Sequence, residues 1–387
     1  MDKSWAVPGQ RPVMTIPDSE LADLKHRLAV TRWPAEWPGA RQRGWAAGVP
    51  LTELRRLTEV WRDGYDWRRA EAQINALPWA AANLDGAEVR YLRFEGEGSR
   101  NLPLILTNGW PSSFWELTGL ARRLAEPTRW GGDAQDAFTV IIPCLPGFPM
   151  AQQQRELPGA APVHELWHRL MRDELGFARY GAHGGDLGAG VTSLLGQQYP
   201  EAVAGIHLLS IAEPRSYDPG SVTLEEQRHL DALARWFAEE GAYEHQQMTR
   251  PMTLGYGLSD SPVGLLAWLV EKYWAWSDHG GRLSSVFSDD DILTQASLYW
   301  FTNCIGTSFR PYWEFGSGLA ARVEQVEVPT AIAVFPKDLV QPPRSWAART
   351  YRVTRYNRMS RGGHFAPHEQ PGLLADDLAE FFRDLSL

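Results

Sequence analysis

The stretch Gly181-Ala182-His183-Gly184-Gly185-Asp186-Leu187-Gly188-Ala189-Gly190 leaves this chain few ways to fold. Phe177-Ala178-Arg179-Tyr180 predicts a short strand leading into it, and Val191 to Tyr199 predicts a helix closed by Pro200. Small residues at 184, 185, 188 and 189 let strand and helix pass through a tight turn that lifts the Asp186 side chain clear of the backbone. This is the layout of a nucleophile elbow, G-x-S-x-G, with a carboxylate in the serine position. A carboxylate so placed attacks an electrophilic sp3 carbon and leaves an alkyl ester that water must cleave. The same residues would also make a phosphate cradle, or use Asp186 as a helix N-cap. The rest of the chain decides between them.

Strands alternate with helices on both sides of this stretch. Val89–Phe94 alternates as a half-buried strand, and Pro103–Thr107 and Phe138–Ile142 are continuous apolar strands with a helix, Phe114 to Glu126, between them. A helix at about 162–174, the elbow strand and a strand over Val203–Leu209 follow. That rhythm predicts an α/β fold with a mostly parallel sheet over 88–213. From about Pro214 to Val323 it stops: the segment is helical in pattern and rich in Trp and Tyr, and reads as a cap inserted into the sheet domain. Strands at Thr330–Phe335 and Tyr351–Tyr356 and a final amphipathic helix (Leu373, Leu374, Leu378, Phe381, Phe382) complete the core over 324–387. Residues 1–87 read as an extension wrapping the core, with helices over Ile16–Arg32 and Leu51–Trp67, the second continuing into Arg68–Leu77, and a meander at about 35–50.

Composition excludes several alternatives. A net charge of −9 argues against a nucleic-acid or anionic-membrane surface. Two cysteines, Cys144 and Cys304, supply no disulfide framework and fit a reducing compartment. Met1–Thr15 carries no apolar run like a signal peptide, so a soluble, cytoplasmic protein without a membrane anchor is expected. No His/Cys/carboxylate cluster has metal-ligand spacing and no G-x-G-x-x-G follows a strand, so neither metal nor organic cofactor is expected.

Two further residues give Asp186 a chemistry. Asp338 follows the strand ending at Phe335, and His364 lies in Gly362-Gly363-His364-Phe365 after the last predicted strand. Nucleophile, acid and histidine at successive strand ends, in that chain order, are the arrangement of an α/β-hydrolase core. Asp338 would hold the imidazole in one tautomer, leaving its other nitrogen to deprotonate water. The turn Thr107-Asn108-Gly109-Trp110-Pro111 also follows a strand, so the backbone N–H groups of Trp110 and Leu187 would face an oxyanion on the ester of Asp186.

With these residues in view, the sequence resembles the epoxide hydrolases of the α/β-hydrolase fold, in the branch with an N-terminal extension that includes the microsomal type. Thr31-Arg32-Trp33-Pro34, Tyr65-Asp66-Trp67-Arg68 and Ile74-Asn75-Ala76-Leu77-Pro78 resemble that extension. The oxyanion turn, Gly184-Gly185-Asp186, Ser261-Pro262-Val263-Gly264-Leu265 and Gly363-His364-Phe365 resemble the core and cap. The resemblance implies two cap tyrosines that hold the epoxide oxygen, at the matching positions Tyr243 and Tyr312. A phenol can donate to that oxygen without titrating near neutral pH. Two departures bear on the pocket: Asn108 stands where the oxyanion turn usually begins with His, and Leu187 where Trp often follows the nucleophile.

The expected activity is hydrolysis of a bulky apolar or aryl epoxide to a vicinal diol, in detoxification or in secondary metabolism such as enediyne assembly. The expected partners are the small-molecule epoxide and water, with a homodimer left open. A haloalkane dehalogenase, which shares the Asp nucleophile, and a hydrolase-fold ligand-binding protein without turnover are the alternatives.

Overall fold

A computed structural model of the protein describes residues 12–84, 86–99, 102–151, 162–383 and 385. Residues 1–11, most of the segment in which no signal-like run is found, lie outside the described residues.

Eight strands form one sheet: β1 (Trp79–Leu84), β2 (Ala87–Phe94), β3 (Leu102–Thr107), β4 (Phe138–Pro143), β5 (Tyr180–Gly184), β6 (Val203–Leu208), β7 (Val326–Val334) and β8 (Tyr351–Arg358). Their order is β1-β2-β4-β3-β5-β6-β7-β8. The pairs β1/β2 and β2/β4 are antiparallel, and all other pairs are parallel. Every residue of β4, β5 and β6 is buried, which explains why β4 reads as a continuous apolar run rather than an alternating one. Helices cover both faces. The last helix, Pro371–Arg383, buries Leu374, Leu378, Phe381 and Phe382 against the sheet, each side chain contributing about 1.5–3 kcal/mol.

The α/β-hydrolase expectation holds, with three local corrections. The elbow strand begins at Tyr180, where Phe177–Tyr180 had been expected to form it, and the helix starts at Leu187 rather than Val191. The second helix of the extension stops at Glu59, passes through a π turn over Val60–Gly64 and restarts at Trp67, where Asp66 caps it by accepting from the Arg69 N–H. Third, β1 is a strand the sequence did not predict. Its run Trp-Ala-Ala-Ala-Asn-Leu has no β-branched residue, and pairing with β2 supplies what propensity does not.

Between β6 and β7 the chain is helical, from Leu224–Glu239 through Arg310–Gly316. The N-terminal segment ties these helices to the sheet. Trp45 stacks on Trp274 at 4.4 Å, the Trp61 indole donates to Ser297 at 2.9 Å, and Arg56 pairs with Asp289. Among the described residues no helix is long and apolar enough to cross a membrane.

Candidate active site

Asp186 sits between β5 and the helix Leu187–Gln198 with φ 51° and ψ −128°. A side-chain-bearing residue in that region costs about 1–3 kcal/mol, which the surrounding packing must offset. Glycine makes this packing possible. A Cβ on Gly184 would lie 2.2 Å from the Gly188 carbonyl oxygen, one on Gly188 2.1 Å from the Thr107 carbonyl oxygen, and one on Gly109 2.3 Å from the Cβ of Asp186. The elbow and the turn after β3 therefore touch where no side chain separates Gly188 from Thr107 or Gly109 from Asp186. The Asp186 N–H donates to Ser210 Oγ at 3.0 Å, which fixes the strained turn from the end of β6.

The carboxylate of Asp186 has two distinct oxygens. Oδ1 accepts from the backbone N–H of Trp110 at 2.9 Å and of Leu187 at 2.7 Å. Oδ2 lies 3.6 Å from His364 Nε2. On the far side of the ring, His364 Nδ1 is 2.7 Å from Asp338 Oδ1. Asp338 stands in the loop after β7, where its Oδ1 also accepts from the Leu339 N–H. The loop bearing His364 is fastened by three backbone bonds. His364 N–H donates to the Trp276 carbonyl at 2.8 Å, and Gly363 and Phe365 N–H donate to the two oxygens of Glu369 at 3.1 and 3.0 Å.

Burial opposes a charged imidazole here, but the carboxylates of Asp338 and Asp186 more than offset it and hold the His364 pKa well above its usual range. The resting site thus favours an imidazolium between two carboxylates.

Tyr243 and Tyr312 come from the cap helices Ala242–Thr249 and Arg310–Gly316. Trp110, whose N–H holds Asp186, also organises both phenols. Its ring stacks on Tyr243 at 5.4 Å and meets Tyr312 edge-on at 6.1 Å. The Tyr312 hydroxyl is buried without a protein hydrogen-bond partner. Burial, and then the charge of Asp186, push both phenols well above their usual pKa, so each remains a donor. Trp276 and Phe309 extend the aromatic cluster around Trp110 at 6.4 and 6.1 Å.

All seven residues singled out from the sequence, Asp186, His364, Asp338, Tyr243, Tyr312, Trp110 and Leu187, thus belong to one site. Asn108 is buried, and its Nδ2 donates to the Gly109 carbonyl at 2.9 Å, an internal pin for the turn. Sequence reasoning missed Ser210, Glu369 and Glu116. Ser210 occupies a strand end, a signal that was there to find. Glu369 has none. Glu116 is disguised by Ser113-x-x-Glu116, a capping-box signature, but its carboxyl turns away to Ser112 Oγ. Burial raises both glutamates to about 7. Among the described residues no group of His, Cys, Asp and Glu could hold a metal ion.

Comparison with known proteins agrees with this geometry. The family described as epoxide hydrolase N terminus matches residues 10–117, and that described as alpha/beta hydrolase fold matches residues 103–255. A putative epoxide hydrolase of Stigmatella aurantiaca is 42% identical over 376 residues, covering 96% of this chain and 84% of that protein. Epoxide hydrolase 1 of Sus scrofa is 30% identical, covering 97% and 91%. The structure of Aspergillus niger epoxide hydrolase superimposes with a TM-score of 0.83 at 28% identity, covering 99% of this chain and all (100%) of that one. The Asp-His-Asp site on this sheet, the paired phenols above it and similarity along nearly the whole chain place the protein in the epoxide hydrolase family.

Proposed function

We propose that this epoxide hydrolase works through a covalent ester on Asp186. The observation that carries the reading is the asymmetry of that carboxylate: two N–H groups fix Oδ1, while Oδ2 stays free of them and faces His364. Oδ2 attacks a ring carbon from behind, the C–O bond breaks, and Tyr312 or Tyr243 gives its proton to the departing oxygen. Esterification removes the Asp186 charge, one of the two that hold the His364 proton. The imidazole then passes that proton to the phenolate, restoring the phenol, and becomes a base oriented by Asp338. A water oxygen bonds to Cγ of Asp186 as its proton passes to Nε2, and the oxyanion forms on Oδ1, already between the Trp110 and Leu187 N–H groups. The Cγ–Oδ2 bond breaks, the diol oxygen takes the proton from His364, and the carboxyl proton left on Asp186 returns the imidazole to its resting charge.

The substrate class we propose is a bulky apolar or aryl epoxide, on the strength of Trp110, Trp276 and Phe309 around the two phenols. Such a substrate suits both detoxification and secondary metabolism. Cytoplasmic residence is supported by two buried, unpaired thiols, Cys144 and Cys304. The dehalogenase alternative has one observation in its favour, the unpartnered buried indole N–H of Trp276, and two phenols against it.

The test is a single turnover in 18O-labelled water with enzyme in excess over styrene oxide. Label in the peptide containing Asp186, with an unlabelled diol, is the expected result. Label in the first diol means that water attacks the epoxide directly and Asp186 is not the nucleophile.

A further inference from the structure

Lysine is seldom buried, because its ammonium must find partners that replace water. Lys272 is 5% exposed, and among the described residues it is the only buried lysine or arginine. It lies on the cap helix Pro262–Trp276, where Trp268, Lys272 and Trp276 are each one turn apart and share a face. Its Nζ sits 4.8 Å from the ring centre of Tyr243, 5.3 Å from that of Trp268 and 5.5 Å from that of Trp276. Glu271 supplies an ion pair. The ammonium is not held there for lack of an exit. A cavity of about 620 Å³ has Lys272 in its wall, with Tyr243, Trp268, Glu240 and Glu271, and a lysine stem readily carries its charge out to water. The charge instead stays over the rings.

Tyr243 is the ring among them with chemistry to do. Burial, and then the charges of Asp186, Glu244 and Glu271, oppose loss of its proton. Epoxide opening asks a phenol for that loss. As Oδ2 of Asp186 bonds to the epoxide carbon and the C–O bond breaks, the departing oxygen takes the proton, and negative charge spreads from the phenolate oxygen into the aromatic ring. A cation at the face of that ring attracts a phenolate far more strongly than a phenol, which offers it only a quadrupole. The attraction therefore grows towards the transition state, and only interactions that grow in this way accelerate the step. The rings under the ammonium include Tyr243 and not Tyr312, so the two phenols are unequal.

We propose that Lys272 makes Tyr243 the phenol that gives up its proton in epoxide opening, by stabilising the phenolate through the face of its ring, and leaves Tyr312 to hold the oxygen by a hydrogen bond. Lys272 touches neither substrate nor a reacting atom. It acts through Tyr243 as a positioning residue, until the proton held by His364 restores the phenol. The inference rests on the ester reading above.

Stopped-flow single turnovers with styrene oxide read ester formation and ester hydrolysis separately. In Lys272→Met, which keeps an unbranched stem without the charge, ester formation should slow about tenfold or more. Hydrolysis starts from the restored phenol and should keep its rate. In a Tyr243→Phe background the ring under Lys272 remains and Tyr312 keeps ester formation measurable; Lys272→Met should then change it less than about twofold. Glu271→Gln separates charge from structure by its sign. It removes a carboxylate that opposes the phenolate, so ester formation should hold or quicken. Should Lys272→Met fail to fold with Glu271 left unpaired, joining it to Glu271→Gln removes both charges, and this double variant should still be slow in ester formation. A folded double variant as fast as the unsubstituted enzyme overturns the proposal. So does an equal loss from Lys272→Met with and without the Tyr243 hydroxyl, because the lysine then acts elsewhere. Slowing by Glu271→Gln as large as that by Lys272→Met is also contrary, because the ion pair then serves only the shape of the cap. Absence of an ester in the unsubstituted enzyme refutes the parent reading instead, and is told apart by the mass of the peptide containing Asp186.

Discussion

Replacing Tyr312 by Phe should make the protein more stable and less active, a pairing few substitutions produce. The ring keeps its contacts, edge-on to Trp110 at 6.1 Å and to Tyr243 at 6.1 Å. What is lost is a buried hydroxyl with no protein partner. An unsatisfied buried hydroxyl costs about 1–3 kcal/mol, so its removal should raise the unfolding free energy by about 1 kcal/mol, or Tm by about 1 °C for a chain of this size. In the reaction the same hydroxyl finds its partner, the oxygen leaving carbon. A hydrogen bond to a group gaining charge contributes about 1.5–3 kcal/mol, equivalent to a loss of about 10- to 150-fold in the rate of ester formation at 1.36 kcal/mol per decade. Tyr243 remains and keeps the enzyme from falling silent. Thermal unfolding and stopped-flow ester formation check the two halves separately. A lower Tm would mean that the hydroxyl is already satisfied in the resting protein. An unchanged rate of ester formation would remove Tyr312 from the chemistry.

Other expectations are as specific. Gly109→Ala places a Cβ 2.3 Å from that of Asp186, so the turn must withdraw with its Trp110 N–H, and kcat should fall about 100-fold or more while circular dichroism stays native. His364, with its pKa raised in the resting state, contributes stability that is complete below the unfolded value near 6.5 and is lost as pH rises through the folded value. In catalysis the sign reverses. Ester hydrolysis needs the neutral ring, so single turnovers should show hydrolysis slowing as pH falls through a range above the usual imidazole one, because Asp338 still faces the ring, while ester formation does not follow. A hydrolysis rate flat across that range would remove His364 as the base. Burial opposes the Asp377 carboxylate, but His207, Arg355 and Asn357 outweigh it and lower its pKa to about 2. Its contribution, about 2 kcal/mol, is therefore present above about pH 4 and lost as pH falls toward 2. Asp377→Asn should lower stability at neutral pH by at least that much and flatten the acid limb of a urea-denaturation series.

The elbow was legible because its demands are local. Gly184, Gly188 and Gly109 each stand where a Cβ would meet backbone or the nucleophile, and only a few residue types satisfy that. The order Asp186, Asp338, His364 was legible because each residue follows a strand that its own apolar run announces. Strand β1 was not, since Trp79–Leu84 forms by pairing with β2 and carries no propensity of its own. Nor was Glu369, whose carboxylate serves backbone N–H groups around His364, a role that any acceptor at the right distance could fill. Tyr243 and Tyr312 fall between these cases. The cap holds many aromatic residues, and nothing in periodicity separates the two that face Asp186 from those that pack; resemblance picked them out.

The fastening of the cap by the N-terminal segment has a consequence for how the chain folds. Trp61 bonds to Ser297 across 236 positions, Tyr65 to Thr294 across 229, and Arg56 to Asp289 across 233. During synthesis, the first helices therefore leave the ribosome long before their partner, the helix Asp289–Thr302, exists. Residues such as Trp45, Trp61 and Tyr65 stay uncovered through most of translation, and contacts of such separation form slowly because loop closure must come first. A segment made this early is among the last to dock, and in that interval its tryptophans are the surface that chaperones, or aggregation, would meet.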